Sequence, residues 1–392
     1  STLVQEVLSK MSSYAQESFT GISVIKSYNI QDRIFHGFED LSKQSYQKNM
    51  SLAKLQAWFF PLMILLIGCS NLIVIYVGGS KYINNEIAIG VLAEFIIYIN
   101  MLTWPVAVVG WVTSIVQQAE ASQKRINDFL KETPEIKDGQ GVKIDIKGSI
   151  EFDDVSLFYP ETKIKALKSV KLKISAGSTV GIIGNIGSGK TSLLNLIVRL
   201  YDPVSGVIKI DGIDIKKYSL KELRKAIAYV PQNNFLFSES IENNIGFGSK
   251  NAKFKDIVMA SKKAAVHKNI ISFLDGYKTL LGERGVTLSG GQIQRIAIAR
   301  AILKDSEILL LDDCLSSVDS DTEMEILEHL KSISKSKTTI IVSHRISSLE
   351  HAEKIIVFEN GKIVQQGKHQ ELVGVEGYYQ KLFKKQNAEH SK

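Results

Sequence analysis

Two long runs without any Asp, Glu, Lys or Arg constrain the fold of this chain more than any other feature. They occupy residues 58–77 and 95–119. In a helix that rises about 1.5 Å per residue, the first run spans roughly 30 Å, the thickness of a bilayer core. A helix in the core of a soluble protein would be shorter, and membrane helices tolerate an internal proline such as Pro105. We therefore expect two membrane-spanning helices rather than a purely soluble or a disordered chain.

The charges that flank the two runs predict their orientation. The basic residues before the first run are Lys10, Lys26, Arg33, Lys43, Lys48 and Lys54, and those after the second run are Lys124, Arg125 and Lys131. Basic flanks stay in the cytoplasm, so we expect both ends inside and the connector, residues 78–94, outside. Residues 1–57 are polar and contain no Pro, which predicts long helices that leave the membrane and break near Gly21.

The net charge of +7, from 48 basic and 41 acidic side chains, is compatible with a nucleic-acid or a membrane partner. No dense stripe of Lys and Arg interleaved with aromatic residues is present, so we expect a lipid bilayer and no nucleic acid. The two cysteines, Cys69 and Cys314, cannot form a disulfide scaffold and are expected to be reduced. Because two spans cannot enclose a substrate pathway, we expect the chain to be the last part of a longer polypeptide.

From Gly148 onwards the hydrophobic pattern becomes that of an α/β domain. Short apolar runs alternate with helical stretches, which predicts a largely parallel sheet covered by helices. The runs are residues 180–183, 227–230, 308–311 and 339–342. Apolar-polar alternation predicts a half-buried edge strand with inward residues Ile150, Phe152, Val155 and Leu157. The pair Asn360-Gly361 predicts a two-residue hairpin turn.

The segment from Gly184 to Thr191 follows a predicted strand and precedes an apolar helix. It fits the pattern G-x-x-x-x-G-K-S/T, in which glycines let successive backbone N–H groups turn towards a phosphate. Lys190 would reach the β- and γ-phosphates, and Thr191 would hold Mg²⁺. The expected nucleotide contacts are Gly184, Asn185, Gly187, Ser188, Gly189, Lys190, Thr191 and Ser192. A glycine-rich turn that binds no nucleotide is the alternative.

Two further sequence elements predict contacts with Mg²⁺ or with an anion. A continuous apolar run ends at Asp312, which places this carboxylate at the carboxyl edge of the sheet and suits it to hold Mg²⁺ directly or through water. A serine and two glycines at the start of a helix form another anion site. Its residues are Ser289, Gly290, Gly291 and Gln292. Within a single chain, a second phosphate pocket would have no purpose.

The order and spacing of these elements resemble the nucleotide-binding domain of ABC transporters, and the LSGGQ motif at residues 288–292 is the most specific part of the match. The resemblance covers the whole chain. It implies that two such domains face each other, with each ATP between the phosphate loop of one chain and the LSGGQ motif of the other. It also implies that Tyr159 stacks on adenine, that Gln232 senses Mg²⁺ and contacts the membrane part, and that His344 lies at the γ-phosphate.

The residue assignments leave alternatives open. Tyr159 could cover a sheet edge, and Gln232 could be a turn residue. By the resemblance, residues 316–319 form the loop called the D-loop, and Glu283 belongs to a segment that touches the partner's cytoplasmic loops. Cys314 is expected to be a small packing residue.

The N-terminal part also resembles this family. Residues 17–28 are similar to the second intracellular loop of ABC exporters, whose short coupling helix docks on a nucleotide-binding domain. The two spans would then be the fifth and sixth membrane helices. The expected fold is multi-domain, with all-α transmembrane helices followed by a RecA-like α/β P-loop ATPase domain that carries a helical signature subdomain. We place a partial transmembrane domain at residues 1–130, a linker at 131–147 and the nucleotide-binding domain at 148–392.

One position departs from the family pattern. The residue after Asp312 is usually a glutamate that polarises the attacking water, whereas this chain has Asp313. Because Asp is one methylene shorter, its carboxylate would fall roughly 1–1.5 Å short of the target. Misplacement of that order can cost about a hundredfold in rate. We therefore expect Asp313, His344 and Gln232 to be the catalytic residues of a weakened site.

The resemblance implies ATP-driven export of a small, hydrophobic substrate across the cell membrane, with the nucleotide-binding domain in the cytoplasm and with ATP and Mg²⁺ as cofactors. The intact LSGGQ motif could complete a competent site on a partner, so the expected partner is a different half-transporter. A homodimeric exporter with slow ATPase activity and a nucleotide-binding regulatory subunit without transport are the alternatives. A soluble ABC ATPase is contradicted by the two spans.

Overall fold

A computed structural model describes residues 2–139, 141, 145–249, 252–282, 288–334 and 336–390 of the chain. The chain divides into two compact units, Ser1–Thr133 and Pro134–Lys392. The first unit is helical and the second is an α/β domain, in the order that the hydrophobic pattern predicts.

The described residues of the first unit form four helices, α1 (Thr2–Thr20), α2 (Ile22–Ser27), α3 (Gln31–Ile83) and α4 (Ile89–Lys131). The predicted break at Gly21 is confirmed, since it separates α1 from α2. The connector between the spans is shorter than predicted, because α3 and α4 continue beyond their apolar runs and leave only residues 84–88 between them. Pro61 and Pro105 lie inside α3 and α4 without ending either helix.

Both long helices have the length and composition of membrane spans. The candidate spans are Pro61–Ile83, with a mean hydropathy of 2.2, and Ile89–Lys131, with a mean hydropathy of 1.7. Among the described residues, none in the apolar windows of these helices is buried inside the chain. A core helix of a soluble protein would be covered by its own chain, so the exposure of these apolar side chains favours a lipid environment.

Where the structure describes it, the second unit forms two sheets. Its strands are β1 (Ile150–Tyr159), β2 (Ile164–Ile174), β3 (Thr179–Gly184), β4 (Ser205–Ile210), β5 (Ile213–Asp214), β6 (Ile227–Val230), β7 (Ile308–Asp312), β8 (Thr338–Val342), β9 (Lys354–Glu359) and β10 (Lys362–Gly367). Its helices are α5 (Lys190–Ile197), α6 (Leu220–Lys225), α7 (Ile241–Gly246), α8 (Phe254–Lys263), α9 (His267–Ile271), α10 (Gly290–Leu303), α11 (Ser320–Ser334), α12 (His369–Gly374) and α13 (Tyr378–His390).

The larger sheet confirms the predicted parallel core. Its order is β10-β9-β3-β8-β7-β6, and every neighbouring pair is parallel except the β9–β10 hairpin. The hairpin turns at Asn360 and Gly361, with φ values of 49° and 80°, as the sequence predicts. Neighbouring residues of β3 pack on opposite faces, since Ile182 belongs to one hydrophobic core and Ile183 to the other. Burial on both faces explains why these strands are continuously apolar.

The smaller sheet corrects the prediction for β1. It is antiparallel, in the order β2-β1-β4-β5, so β1 is an internal strand and not an edge strand. The register shifts between Phe152 and Val155, where Asp154 has a φ of 53°. Because of this irregularity, the residues of β1 that were predicted to point inward all lie on the buried face. Sequence alternation alone does not distinguish a strand with one neighbour from a strand with two.

Candidate nucleotide-binding site

The phosphate loop connects β3 to α5. Gly187 and Gly189 have φ values of 77° and 105°, which side-chain-bearing residues rarely adopt. A Cβ on Gly189 would lie 2.5 Å from the carbonyl oxygen of Ala166, so only glycine lets the loop approach β2 this closely. Lys190, the first residue of α5, is buried, and its Nζ donates to the carbonyl oxygens of Gly184 and Asn185, both at 2.8 Å. The loop is therefore a compact cradle at a helix N-terminus, suited to an anion.

A cavity of about 230 Å³ brings together most of the residues that the sequence predicts for the site. The predicted residues that line it are Tyr159, Gly187, Ser188, Gly189, Lys190, Thr191, Ser192, Gln232, Asp312, Asp313 and His344. They come from the ends of β1, β6, β7 and β8 and from the phosphate loop, because the carboxyl ends of parallel strands meet at one edge of the sheet. Apolar residues also line the cavity, among them Ile164, and offer a surface for a base.

Asp312 ends β7 and is only 1% exposed. Its Oδ2 is buried without a hydrogen-bond partner among the described residues. Burial raises the pKa of Asp312, an effect that the hydrogen bond from Thr191 and the charge of Lys190 oppose. In turn, burial lowers the pKa of Lys190, and the two acidic neighbours oppose that change. A buried carboxylate with a free oxygen fits a cation bound at this position.

The donor set fits Mg²⁺ bound together with a nucleotide. Among the described residues, no group of three or more His, Cys, Asp or Glu side chains is arranged to hold a metal by itself. Mg²⁺ in nucleotide sites takes one or two protein ligands and completes its shell with phosphate oxygens and water. Asp312, the hydroxyl of Thr191 and the amide of Gln232 line the same cavity and offer such ligands.

Asp313 lies next to His344 on the cavity wall. Its backbone is left-handed, with φ at 46°, and its N–H donates to the carbonyl oxygen of Val342 at 2.9 Å. Asp tolerates this conformation better than most residues, and the turn directs the chain out of β7. Burial raises the pKa of Asp313, while His344 opposes the shift through its charge and a backbone hydrogen bond. The carboxylate and the imidazole are therefore close enough to influence each other.

Tyr159 lies at the end of β1, half-buried at the rim of the cavity. Its hydroxyl bonds to the Oγ of Ser192 at 3.1 Å, and its ring packs edge-on against Tyr201 at 5.0 Å. This position suits a contact with a nucleobase, although the role remains a prediction. Gln232 follows β6 and is exposed towards the cavity.

The LSGGQ residues do not line this cavity. Ser289 caps α10, since its Oγ accepts from the N–H of Gln292 at 3.3 Å, and Gln292 Oε1 accepts from the N–H of Ser289 at 3.0 Å. A Cβ on Gly291 would lie 2.8 Å from the carbonyl oxygen of Ser317, so the helix start packs tightly on the D-loop. Glu283, which the resemblance assigns to a partner contact, lies outside the described residues.

Sequence reasoning missed two residues that support the site. Gln294 on α10 is buried, and its amide bonds to the Oγ of Ser316 at 3.2 Å and to the N–H of Ser317 at 3.1 Å, which fixes the D-loop. Tyr229 on β6 bonds to the Oδ1 of Asn195 at 3.3 Å. Burial, followed by the charge of Asp312, raises the pKa of Tyr229. Tyr229 is the one residue with a polar group in the apolar run 227–230, a signal that could have identified it, whereas Gln294 stands among other polar residues of α10 and gives no such signal.

Comparison with known proteins identifies the family of the chain. Residues 167–316 match the family model described as ABC transporter, and residues 1–106 match the ABC transporter transmembrane region. The chain is 39% identical over 380 residues to the multidrug resistance-like ATP-binding protein MdlA of Buchnera aphidicola, covering 97% of this chain and 65% of that protein. It is 36% identical to the probable multidrug resistance ABC transporter protein YheI of Bacillus subtilis, covering 98% of this chain and 66% of that protein.

A solved structure shows the same fold over nearly the whole chain. The structure of a bacterial Atm1-family ABC exporter with ATP bound matches 98% of this chain and 68% of its own, with a TM-score of 0.88 and 27% identity. The chain thus spans about two thirds of the length of the relatives that it matches. With a helical transmembrane region followed by the nucleotide-binding fold, the chain belongs to the ABC transporters, as a multi-pass membrane protein whose nucleotide-binding domain is cytoplasmic.

Proposed function

We propose that the protein is one half of an ATP-driven exporter in which two chains share each ATP. The observation that carries the proposal is the separation of two anion-binding elements. The phosphate loop lines the cavity together with Asp312 and His344, whereas Ser289 and its neighbours at the start of α10 do not. A nucleotide held in the cavity would therefore meet an LSGGQ motif only if a second chain supplied it. Ser289 and Gly290 are exposed and accessible to such a nucleotide.

ATP hydrolysis at this site would rely on residues of the cavity wall. Lys190 would bind the β- and γ-phosphates, and His344 would orient the γ-phosphate. Asp313 would accept a proton from the attacking water, and Gln232 would report the state of the site to the membrane part. Mg²⁺, held by Asp312 and Thr191, would supply positive charge that neutralises the phosphates.

A weakened hydrolytic step follows from the length of Asp313. Its carboxylate is held beside His344, and a side chain one methylene shorter than Glu leaves the attacking water farther from its base. The LSGGQ residues of the same chain are intact and correctly capped. This combination favours pairing with a different half-transporter whose own base is a glutamate, so that the composite site built on that partner does most of the hydrolysis. A homodimer with slow ATPase activity is the alternative.

The substrate class is proposed from the membrane helices and from the relatives. MdlA and YheI carry multidrug resistance in their names. In the present chain, α4 exposes large aromatic side chains, with Trp104 at 76% and Trp111 at 66%. Such surfaces suit a small hydrophobic substrate, and they also suit packing against lipid.

Coupling between hydrolysis and transport is assigned to α2. This short helix is separate from α1 and α3, and it exposes Val24 at 57%. Phe19, shortly before α2 in the sequence, and Tyr28, directly after it, are exposed at 77% and 75%. Exposed large apolar side chains on a polar segment are typical of a docking surface. We propose that α2 docks on a nucleotide-binding domain of the assembled dimer.

Purification of the full-length protein alone, and together with candidate partners, tests the proposal. We expect weak ATPase activity alone and brisk activity with a partner that carries Glu at the position equivalent to Asp313. Brisk activity without a second subunit would contradict the asymmetric pairing and favour a homodimer. Substrate flux into inverted vesicles distinguishes an exporter from a regulatory subunit, because a regulator would bind ATP and move nothing.

A further inference from the structure

The loop that carries His344 is held by a residue of the last helix. Gln386 on α13 donates from its Nε2 to the carbonyl oxygen of His344 at 2.7 Å. Its Oε1 accepts from the backbone N–H of Ile346 at 2.9 Å. A single side-chain amide therefore brackets the residue between them, Arg345, and satisfies the main chain on both sides of it. Two such bonds fix the path of the loop, since each is lost if the loop turns.

The start of α13 is anchored in the hydrophobic core. Tyr379 is fully buried, and its hydroxyl bonds to the Nδ1 of His369 at 2.7 Å, on the neighbouring helix α12. Tyr379 and Gln386 are seven residues apart, which is two helical turns, so both lie on the same face of α13. The buried tyrosine thus sets the position from which Gln386 reaches the His344 loop.

Packing and hydrogen bonding both join α13 to the loop. Ile346 of the loop and Tyr379 of α13 belong to the same hydrophobic core, and Leu382 and Phe383 of α13 pack against that core. A cleft of about 820 Å³ is lined by His344, Arg345 and Gln386 on the side of α11. The hydrogen bonds of Gln386 add a directional restraint on the backbone at His344, which apolar packing does not provide.

The side chain of Arg345 holds the other side of the loop. It pairs with Glu323 of α11, which is 3% exposed and also accepts from the Oγ of Ser348 at 2.5 Å. Its guanidinium also donates to the carbonyl oxygens of Ser316 and Val318, each at 3.4 Å, in the D-loop region. The main chain around His344 is therefore fixed by α13, and the side chain of Arg345 connects this segment to the D-loop region.

We propose that Gln386 is a positioning residue for ATP hydrolysis, acting through the backbone of the His344 loop. It holds the imidazole over the cavity without touching nucleotide itself. This inference rests on the proposed role of His344. It makes α13 part of the catalytic apparatus, because a displacement of its C-terminal half would move the histidine.

The substitution Gln386→Met tests the inference, since Met keeps the length of the side chain and removes both hydrogen bonds. Gln380→Met is a matched control, because Gln380 lies on the same helix and its Nε2 donates to a different backbone carbonyl, that of Val373, at 2.9 Å. In the full-length protein, loss of these bonds should speed hydrogen exchange of residues 343–348 about tenfold. We expect Gln380→Met to leave exchange in this segment unchanged.

Steady-state ATP hydrolysis supplies the second measurement. We expect Gln386→Met to lower kcat about tenfold, as loss of one or two hydrogen bonds implies, with little change in KM for ATP. In a His344→Ala background the same substitution should have no further effect, because both act on one group.

The outcomes separate the inference from the proposed function. Unchanged exchange in Gln386→Met would overturn the positioning role, as would wild-type turnover in Gln386→Met while His344→Ala is impaired. An additive loss in the double variant would also contradict it. If His344→Ala hydrolyses ATP normally, the proposed role of His344 fails, and the exchange measurement still decides whether Gln386 fixes the loop.

Discussion

At the scale of single residues, Asp313 determines how the site is expected to work. Its left-handed backbone and its bond to Val342 fix where the side chain begins, and Asp312, Lys190 and His344 occupy the surrounding wall. With the main chain fixed, only side-chain length remains to bring the carboxylate to the attacking water. The slow ATP hydrolysis that we propose for this site is therefore due to one methylene group that Asp lacks and Glu has.

Lengthening this side chain should restore activity. We expect Asp313→Glu to raise ATP turnover at this site by about tenfold to a hundredfold, the size of effect that misplacement by 1 Å produces. The measurement is steady-state hydrolysis in the assembled dimer, with the base of the partner's own site neutralised so that this site alone contributes. Asp313→Asn is the control and should lower turnover further. Equal or slower hydrolysis in Asp313→Glu would show that side-chain length does not limit the reaction.

At the scale of elements, the phosphate loop depends on two glycines for different reasons. Both have positive φ values, but only Gly189 lies against another strand. A Cβ on Gly189 would lie 2.5 Å from the carbonyl oxygen of Ala166 in β2. A Cβ on Gly187 would meet no atom within 4 Å. An alanine at Gly187 would therefore cause backbone strain alone, whereas an alanine at Gly189 would cause strain and a steric clash.

This difference gives a matched pair of substitutions. Gly187→Ala should cost about 1–2 kcal/mol of left-handed strain, and Gly189→Ala should cost more because the loop must also move away from β2. Each kcal/mol lowers the thermal midpoint by roughly 2–4 °C in a domain of this size. We expect a larger fall, and loss of ATP binding, in Gly189→Ala. Equal midpoints for the two variants would contradict the close approach.

The second element with a clear prediction is α2. Val24 is exposed on this helix, and Val24→Asp would place a charge in the proposed docking surface without disturbing the core of the first unit. We expect ATP hydrolysis to continue while substrate flux in vesicles falls at least several-fold. Gln44→Asp, on the exposed face of α3, is the control and should transport normally. Normal flux in Val24→Asp would argue against a coupling role for α2.

The strands of the second unit show which parts of the fold can be predicted from the sequence. Continuous apolar runs and the Asn360-Gly361 turn predicted β3, β6, β7, β8 and the β9–β10 hairpin, because burial on both faces leaves a strong signal. The antiparallel sheet was predicted only through β1, and as an edge strand, because the number of neighbours of a strand is decided by distant segments. Gln386 was not identified, since its partners lie about 40 residues away in sequence and belong to the main chain.

At the scale of the whole molecule, the proposed site is complete only with a second chain. The cavity holds the phosphate loop, both aspartates and His344, and its natural complement, the tip of α10, does not line it. The spacing of the motifs predicted both the phosphate-loop site and the anion site at the tip of α10. What the chain alone cannot specify is the identity of the partner, since the surface that receives the partner's nucleotide is the same in a homodimer and a heterodimer.

A thiol cross-link between the two chains tests whether they share a nucleotide. In a protein without Cys69 and Cys314, one cysteine replaces Ile186, which is 93% exposed at the phosphate loop. The other is placed in the second chain at the position that matches Ser289. A short bifunctional thiol reagent should then link the two chains when ATP is present, and should fail without nucleotide or in a Lys190→Ala background. Absence of the link with ATP, or an equal yield without it, would contradict a nucleotide shared between two chains.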